Sequence, residues 1–207
     1  MLSFNTDEEM TQNYKFLIGS ILPRPIAVVS TKNEDGSDNL APFSFFNGFS
    51  AKPMIVGFST IRKPNTGEKK DTLVNIEREK EFVVNFVTEQ NADLINMCAT
   101  ELPHGESEFE FTGLTPLPSE KIKATRLKES PIHFECKLLD IVSYGDWPGA
   151  GTLITGEVIK VHIDESIYEE GRINTQKWNP MGRGAGNDWF KTDSVVVKTR
   201  LTKAQIQ

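Results

Sequence analysis

Four hydroxyl residues carry the first chemical signal. Ser30-Thr31 and Ser59-Thr60 each close a short apolar run, Ile26 to Val29 and Met54 to Phe58, which is how a core strand reaches a functional rim. In a closed barrel, neighbouring strands would bring two such ends together as a donor-rich edge. Arg62, Lys69 and Lys70 follow in a turn-rich loop, and Thr72 falls in the first turn of a predicted helix. Hydroxyls, backbone N–H groups and point charges are the equipment of a phosphate site. Asp71, read as the helix N-cap, competes for the same donors. The same residues also read as strand ends and loop positions on a solvated surface, and spacing leaves both readings open.

A second signal is the run Phe43-Ser44-Phe45-Phe46-Asn47-Gly48-Phe49-Ser50. At least two of these phenylalanines belong to the core, because phenylalanine packs more often than it contacts ligands. Ser44 and Asn47 between them let backbone groups and polar tips approach the edge of a flat heterocycle. Trp189 is a candidate cover for a bound aromatic, with loop anchoring as the alternative. Gly182-Arg183-Gly184-Ala185-Gly186 lacks the spacing and the strand-to-helix setting of a dinucleotide loop and is not read as one.

His104, His133 and His162 are scattered, with no metal-ligand spacing, so no metal site is expected. His162 closes the apolar-alternating segment Gly156 to His162, where a barrel mouth could meet a second substrate; a strand-end surface histidine is its plainer role. No nucleophile with a positioned base is visible, so an enzyme built on this chain would need a cofactor to carry the chemistry.

The elements that must position these residues are mostly strands. A helix or arm is expected over residues 7–20, contacting the body through Tyr14, Phe16, Leu17 and Ile18. Strands are expected at 26–29, 54–59 and 82–87, with a turn at Asp35-Gly36. A helix from Asp71 to about Lys80 turns Leu73, Val74 and Ile76 inward; another from Asn91 presents Leu94, Met97 and Cys98. Residues 102–125 form an acidic surface excursion with Phe109 and Phe111 tucked in. A long hairpin joins 132–144 to 152–163, 171–188 is irregular, and 194–201 forms a last strand or edge. Six or seven strands without βαβ alternation favour an antiparallel barrel with helical excursions.

Composition bounds the function. Apolar residues at 38% and charged residues at 25% describe an ordinary soluble chain, read as one domain over residues 1–207. The 23 basic against 29 acidic residues, net −6, argue against a nucleic-acid surface. The acidic N-terminus does not read as a secretory signal, and no apolar run is long enough to cross a membrane. Cys98 and Cys136 form no CxxC pair, which fits a reducing, cytoplasmic setting.

The succession PRPIAVVST, DNLAPFSFFNGFS, IVGFS, KDTLVNI, FVVNFV and GEVIKVHID resembles, in order and spacing, the flavin reductase-like family of FMN-binding split-barrel proteins. That family includes flavoredoxins and the reductase components of two-component monooxygenases. The resemblance covers about residues 15 to 200. It implies a mainly β, six-stranded antiparallel Greek-key split barrel, usually a homodimer with FMN near the subunit interface. By matching positions, Ser30, Thr31, Asn39, Ala41, Ser44, Phe45, Phe46 and Asn47 resemble contacts to the flavin ring and ribityl chain. Ser59, Thr60, Arg62, Lys70 and Thr72 resemble the phosphate end. The implied activity is hydride transfer from NADH or NADPH to FMN, then electron delivery to a second acceptor such as a partner protein, with His162 as a contact on the open ring face. An FMN electron carrier with little NAD(P)H activity is the alternative, and a barrel that binds no flavin is the third reading. The family's Arg-Leu-Gly-Gly-type turn appears here as Arg183-Gly184-Ala185-Gly186, followed by Trp189 as the aromatic.

Overall fold

The computed structural model describes residues 1–6, 10–103 and 106–202. Among them, seven strands form one antiparallel sheet: β1 Ala27–Lys32, β2 Asp38–Phe43, β3 Phe46–Ala51, β4 Met54–Ile61, β5 Glu81–Phe86, β6 Ile132–Ser143 and β7 Gly151–Ile163. Their order is β2-β1-β5-β6-β7-β4-β3. The sheet has one strand more than the resemblance implies, because Phe46–Ala51 pairs with β4 as a hairpin arm. The two edge strands, β2 and β3, are consecutive in the chain and separated only by Ser44 and Phe45. A link of this length spans at most about 11 Å, so the sheet curls until its edges meet at that corner, with no ladder joining them.

Strand alternation divides the interior in two. One face collects Ala27, Val29, Phe43, Phe58, Phe82, Val84 and Ile154, sealed by Leu73 and Ile76 of helix α2, Asp71–Glu79. The other face collects Ile26, Val28, Leu40 and Val87 with Ile95 and Cys98 from helix α3, Ala92–Met97, and its C-cap. Helix α4, Glu108–Thr112, packs Phe109 into that second cluster and leaves Phe111 exposed. The 102–125 excursion is therefore partly a wall of the core. His104 lies outside the described residues.

Several expectations change. Val74 and Met97 face solvent rather than the core, and Ile95 replaces Met97 on the buried flank of α3. The N-cap of α2 is Lys70, with Asp71 inside the first turn. Residues 192–202 form no strand and are exposed. Helix α1, Met10–Ser20, buries none of its residues, and no described helix is long and apolar enough to cross a membrane.

Candidate functional site

The tight Asp35-Gly36 turn sets the β1–β2 register so that Thr31 stands opposite Asn39. Both side chains project toward α2, whose buried Leu73 and Ile76 seat the helix so that Thr72 and Asn75 reach them. Asn39 Nδ2 donates to Thr31 Oγ1 at 3.2 Å and to Thr72 Oγ1 at 3.1 Å. Asn75 Nδ2 donates to Thr31 Oγ1 at 3.0 Å and to Asn33 Oδ1 at 2.7 Å. Four buried polar side chains thus satisfy one another and fix the start of α2 against the β2 edge.

Beside this network lies a cleft of about 100 Å3 whose lining includes Asn39, Ala41, Lys63, Lys70 and Thr72 together with the carboxylates Asp71, Glu101, Glu106 and Glu108. The helix start there carries no side-chain cap hydrogen bond, and the Asp71 carboxylate sits in its first turn, where it answers part of the positive dipole end. Lys69 is paired with Glu77 at 2.7 Å and Lys63 with Glu68 at 3.6 Å. Lys70 makes no close ion pair among the described residues, and its charge acts on the Glu108 carboxylate across the cleft. On the opposite wall the Glu108 carboxylate accepts from the Leu40 N–H at 2.8 Å, and burial pushes its pKa up. A wider cleft of about 700 Å3, between Glu169 to Gln176 and Val195, contains none of the candidate residues.

The remaining candidates divide by position. Ser59 donates its backbone N–H to the Phe45 carbonyl at 2.8 Å, which ties β4 to the β2–β3 corner. Thr60 is buried opposite Thr152. Arg62 is occupied, Nη1 donating to Gly67 O of its own loop at 2.8 Å and Nε to Gly145 O of the β6–β7 turn at 3.3 Å. At the corner itself, Ser44, Phe45 and Phe46 are half-buried and Asn47 is exposed. The Phe46 ring lies edge-on to Phe86 at 6.0 Å, and Tyr14 of α1 stands 6.4 Å from Phe45.

Ser30 is not with this group. Alternation turns it to the other face, where it donates to the Thr125 carbonyl and accepts from Asn85 Nδ2 at 3.2 Å. Asn85 Nδ2 also donates to Val28 O, so its Oδ1 is the acceptor for Leu127 N and for His133 Nδ1, both at 2.9 Å. His133 therefore carries its proton on Nδ1, and burial, then the nearby Arg126, lowers its pKa to about 4.

His162 lies on this second face too, its Nε2 2.6 Å from Glu135 Oε1. Phe134 packs against the first core cluster, and its neighbours His133 and Glu135 point the opposite way. The structure does not bring His162 to the Phe45–Phe46 corner or to the cleft within the chain. Trp189 is likewise an anchor: it packs on the second core cluster with the Arg183 guanidinium 5.3 Å from its ring centre.

The residue that sequence reasoning missed is Arg24. It is 3% exposed and joins α1, Ser44 and the Gly184 turn. Its signal was available: an arginine held between Pro23 and Pro25 immediately before a buried strand.

The chain matches the flavin reductase like domain over residues 18–177. It belongs to that family. Component B of nitrilotriacetate monooxygenase from Bacillus cereus is 39% identical, with a TM-score of 0.89 over 97% of this chain and 98% of that one. The 2-nitrobenzoate 2-nitroreductase NbaA of Pseudomonas fluorescens is 30% identical, with a TM-score of 0.88 over 98% of both chains. A split barrel domain chain from Shewanella frigidimarina shares the fold at 21% identity, TM-score 0.81, over 97% of this chain and 100% of that one. Family membership makes a flavin the expected ligand class and oxidoreductase chemistry the expected activity. The open, edge-to-edge sheet described above is the split barrel of this flavin reductase-like chain.

Proposed function

We propose that this flavin reductase-like protein binds FMN and uses it to pass electrons from NADH or NADPH to a second acceptor. The observation that carries the reading is the juxtaposition of an uncapped α2 start, Lys70 and Thr72 beside Asn39 and Ala41 in one cleft. The donor set fits a phosphorylated flavin: a helix N-terminus and an ammonium suit a phosphate, while Asn39 and small Ala41 suit a polyol chain approaching the β2 edge. FMN, when bound, supplies the hydride-accepting ring.

The chain's own residues then have separable tasks. Lys70 and the first turn of α2 hold the phosphate, and Thr31 and Asn75 hold Asn39 and Thr72 in place from beneath. Ser44, Phe45, Phe46 and Asn47 at the β2–β3 corner offer a half-apolar platform with polar tips for a flat ring. Ser59, through the Phe45 carbonyl, fixes the height of that platform. A second copy of the chain covers the exposed apolar side chains Met10, Tyr14, Leu17 and Phe49 near this corner, making a homodimer with the site at its edge. The acceptor is a partner protein or a small oxidant, the two classes that the monooxygenase component and the nitroreductase suggest. Rapid bleaching of FMN absorbance on anaerobic mixing of the loaded protein with NADH or NADPH is the expected result. Persistent oxidised flavin with both donors would leave electron carriage without nicotinamide oxidation.

A further inference from the structure

Arg24 is a buried cation without an acid. Its guanidinium donates through Nε to Ser44 Oγ at 3.2 Å, through Nη1 to the carbonyls of Ile18 at 2.7 Å and Ile21 at 3.0 Å, and through Nη2 to Gly184 O at 2.6 Å. No carboxylate among the described residues pairs with it, and its backbone pairs with Arg183, a second cation. Burial lowers its pKa, the nearby Tyr14 phenol opposes that and Arg183 adds to it, yet a guanidinium stays charged at neutral pH. Three carbonyl dipoles, two of them at the C-terminal end of α1, offset part of the desolvation cost. Among the described residues Ser44 is the one side chain that hydrogen-bonds to this charge.

The geometry fixes how Ser44 is used. Its oxygen accepts from Arg24, no described residue accepts its hydroxyl hydrogen, and the side chain is half-buried at the corner beside Phe45 and Phe46. A hydroxyl that accepts from a cation becomes a stronger donor, because hydrogen bonds in a low-dielectric setting polarise one another.

We propose that Arg24 polarises the Ser44 hydroxyl as a donor to the flavin ring, so that the pair binds reduced flavin more tightly than oxidised flavin. The proposal rests on the FMN reading above. Hydride transfer from a reduced nicotinamide moves two electrons and one proton onto the ring, which therefore gains one negative charge. A positive charge conveyed to the ring edge through one hydroxyl favours that product electrostatically.

The test is the midpoint potential of FMN bound to the purified protein, measured by equilibration with a redox dye for wild type, Ser44→Ala, Ser44→Thr and Arg24→Gln. Ser44→Ala is expected to keep its circular dichroism spectrum and to lose about tenfold in affinity for reduced relative to oxidised FMN, a fall of about 30 mV for a two-electron couple. Ser44→Thr restores the wild-type potential, and Arg24→Gln, where it folds, falls with Ser44→Ala. An unchanged potential in FMN-loaded Ser44→Ala overturns the proposal and leaves the FMN reading intact. A wild-type protein that binds no FMN overturns both.

Discussion

Asn39 and Thr72, 33 positions apart, are joined by a buried hydrogen bond of 3.1 Å from Asn39 Nδ2 to Thr72 Oγ1. This contact makes the β2 edge and the start of α2 one unit. The cleft beside it keeps its shape only while that unit holds, so the phosphate end of the proposed site is built from tertiary contacts rather than from a loop motif.

Replacing Asn75 by Ala removes donors to Thr31 and Asn33 at once and leaves the buried Thr31 hydroxyl and the half-buried Asn33 amide each short of a partner. We expect a loss of about 1–3 kcal/mol of stability, read as a lower urea midpoint, with FMN affinity falling in the same variant. Unchanged stability would mean that the network does not hold α2.

His133 sets a pH dependence. Its folded pKa of about 4 lies below the ordinary 6.5, so between these values the unfolded chain binds the extra proton. Stability is therefore complete above about pH 6.5 and declines toward pH 4, by on the order of 3 kcal/mol from this group. Denaturant titrations from pH 4 to 7 should show this slope in wild type and a shallower one in His133→Gln, which retains a donor for Asn85.

Glu108 acts with the opposite sign. Burial raises its folded pKa, so the stability it contributes in acid is lost as pH rises through that value. Glu108→Gln keeps an acceptor for the Leu40 N–H and should be more stable than wild type at pH 7 to 8, with the difference vanishing near pH 4. A less stable variant at pH 8 would show that the carboxylate charge is needed there.

Two glycines that look alike in sequence differ in the fold. A Cβ on Gly156 would lie 2.5 Å from Cζ of fully buried Phe82 and 3.2 Å from Cβ of Cys136, whereas one on Gly57 meets mainly the ring of exposed Phe49 at 2.7 Å. Gly156→Ala should cost about 1–3 kcal/mol, and Gly57→Ala much less because Phe49 can swing away. Equal thermal shifts would contradict this placement of the two side chains.

Five of the seven strands were legible because each is rich in β-branched or aromatic residues and bounded by turn residues, as in Ile26 to Thr31 and Met54 to Thr60, whereas β2, with Asn39 and Pro42, and β3, with Asn47 and Gly48, carry no such run. Asn39, Lys70 and Thr72 were named through the family resemblance, and the fold places them along one cleft. The faces were harder. Ser30 and Thr31 are adjacent and chemically similar, yet pleating sends one to Asn85 and the other to Asn39. His162 reads as a strand-end residue, but the buried Glu135 that holds it approaches from another strand, which no local pattern reports. Arg24 was hidden because an arginine counts as surface until its carbonyl partners, one of them 160 residues away, are in place.

The central claim is that the cleft at the start of α2 holds the phosphate of FMN. Fluorescence titration of the purified protein with FMN and with riboflavin tests it most directly, since the two differ only in that phosphate. The account predicts binding of FMN at least about a hundredfold tighter than riboflavin, with Lys70→Ala removing about tenfold of that preference and leaving riboflavin affinity and stability unchanged. Equal affinity for the two ligands, or no quenching by either, would contradict it.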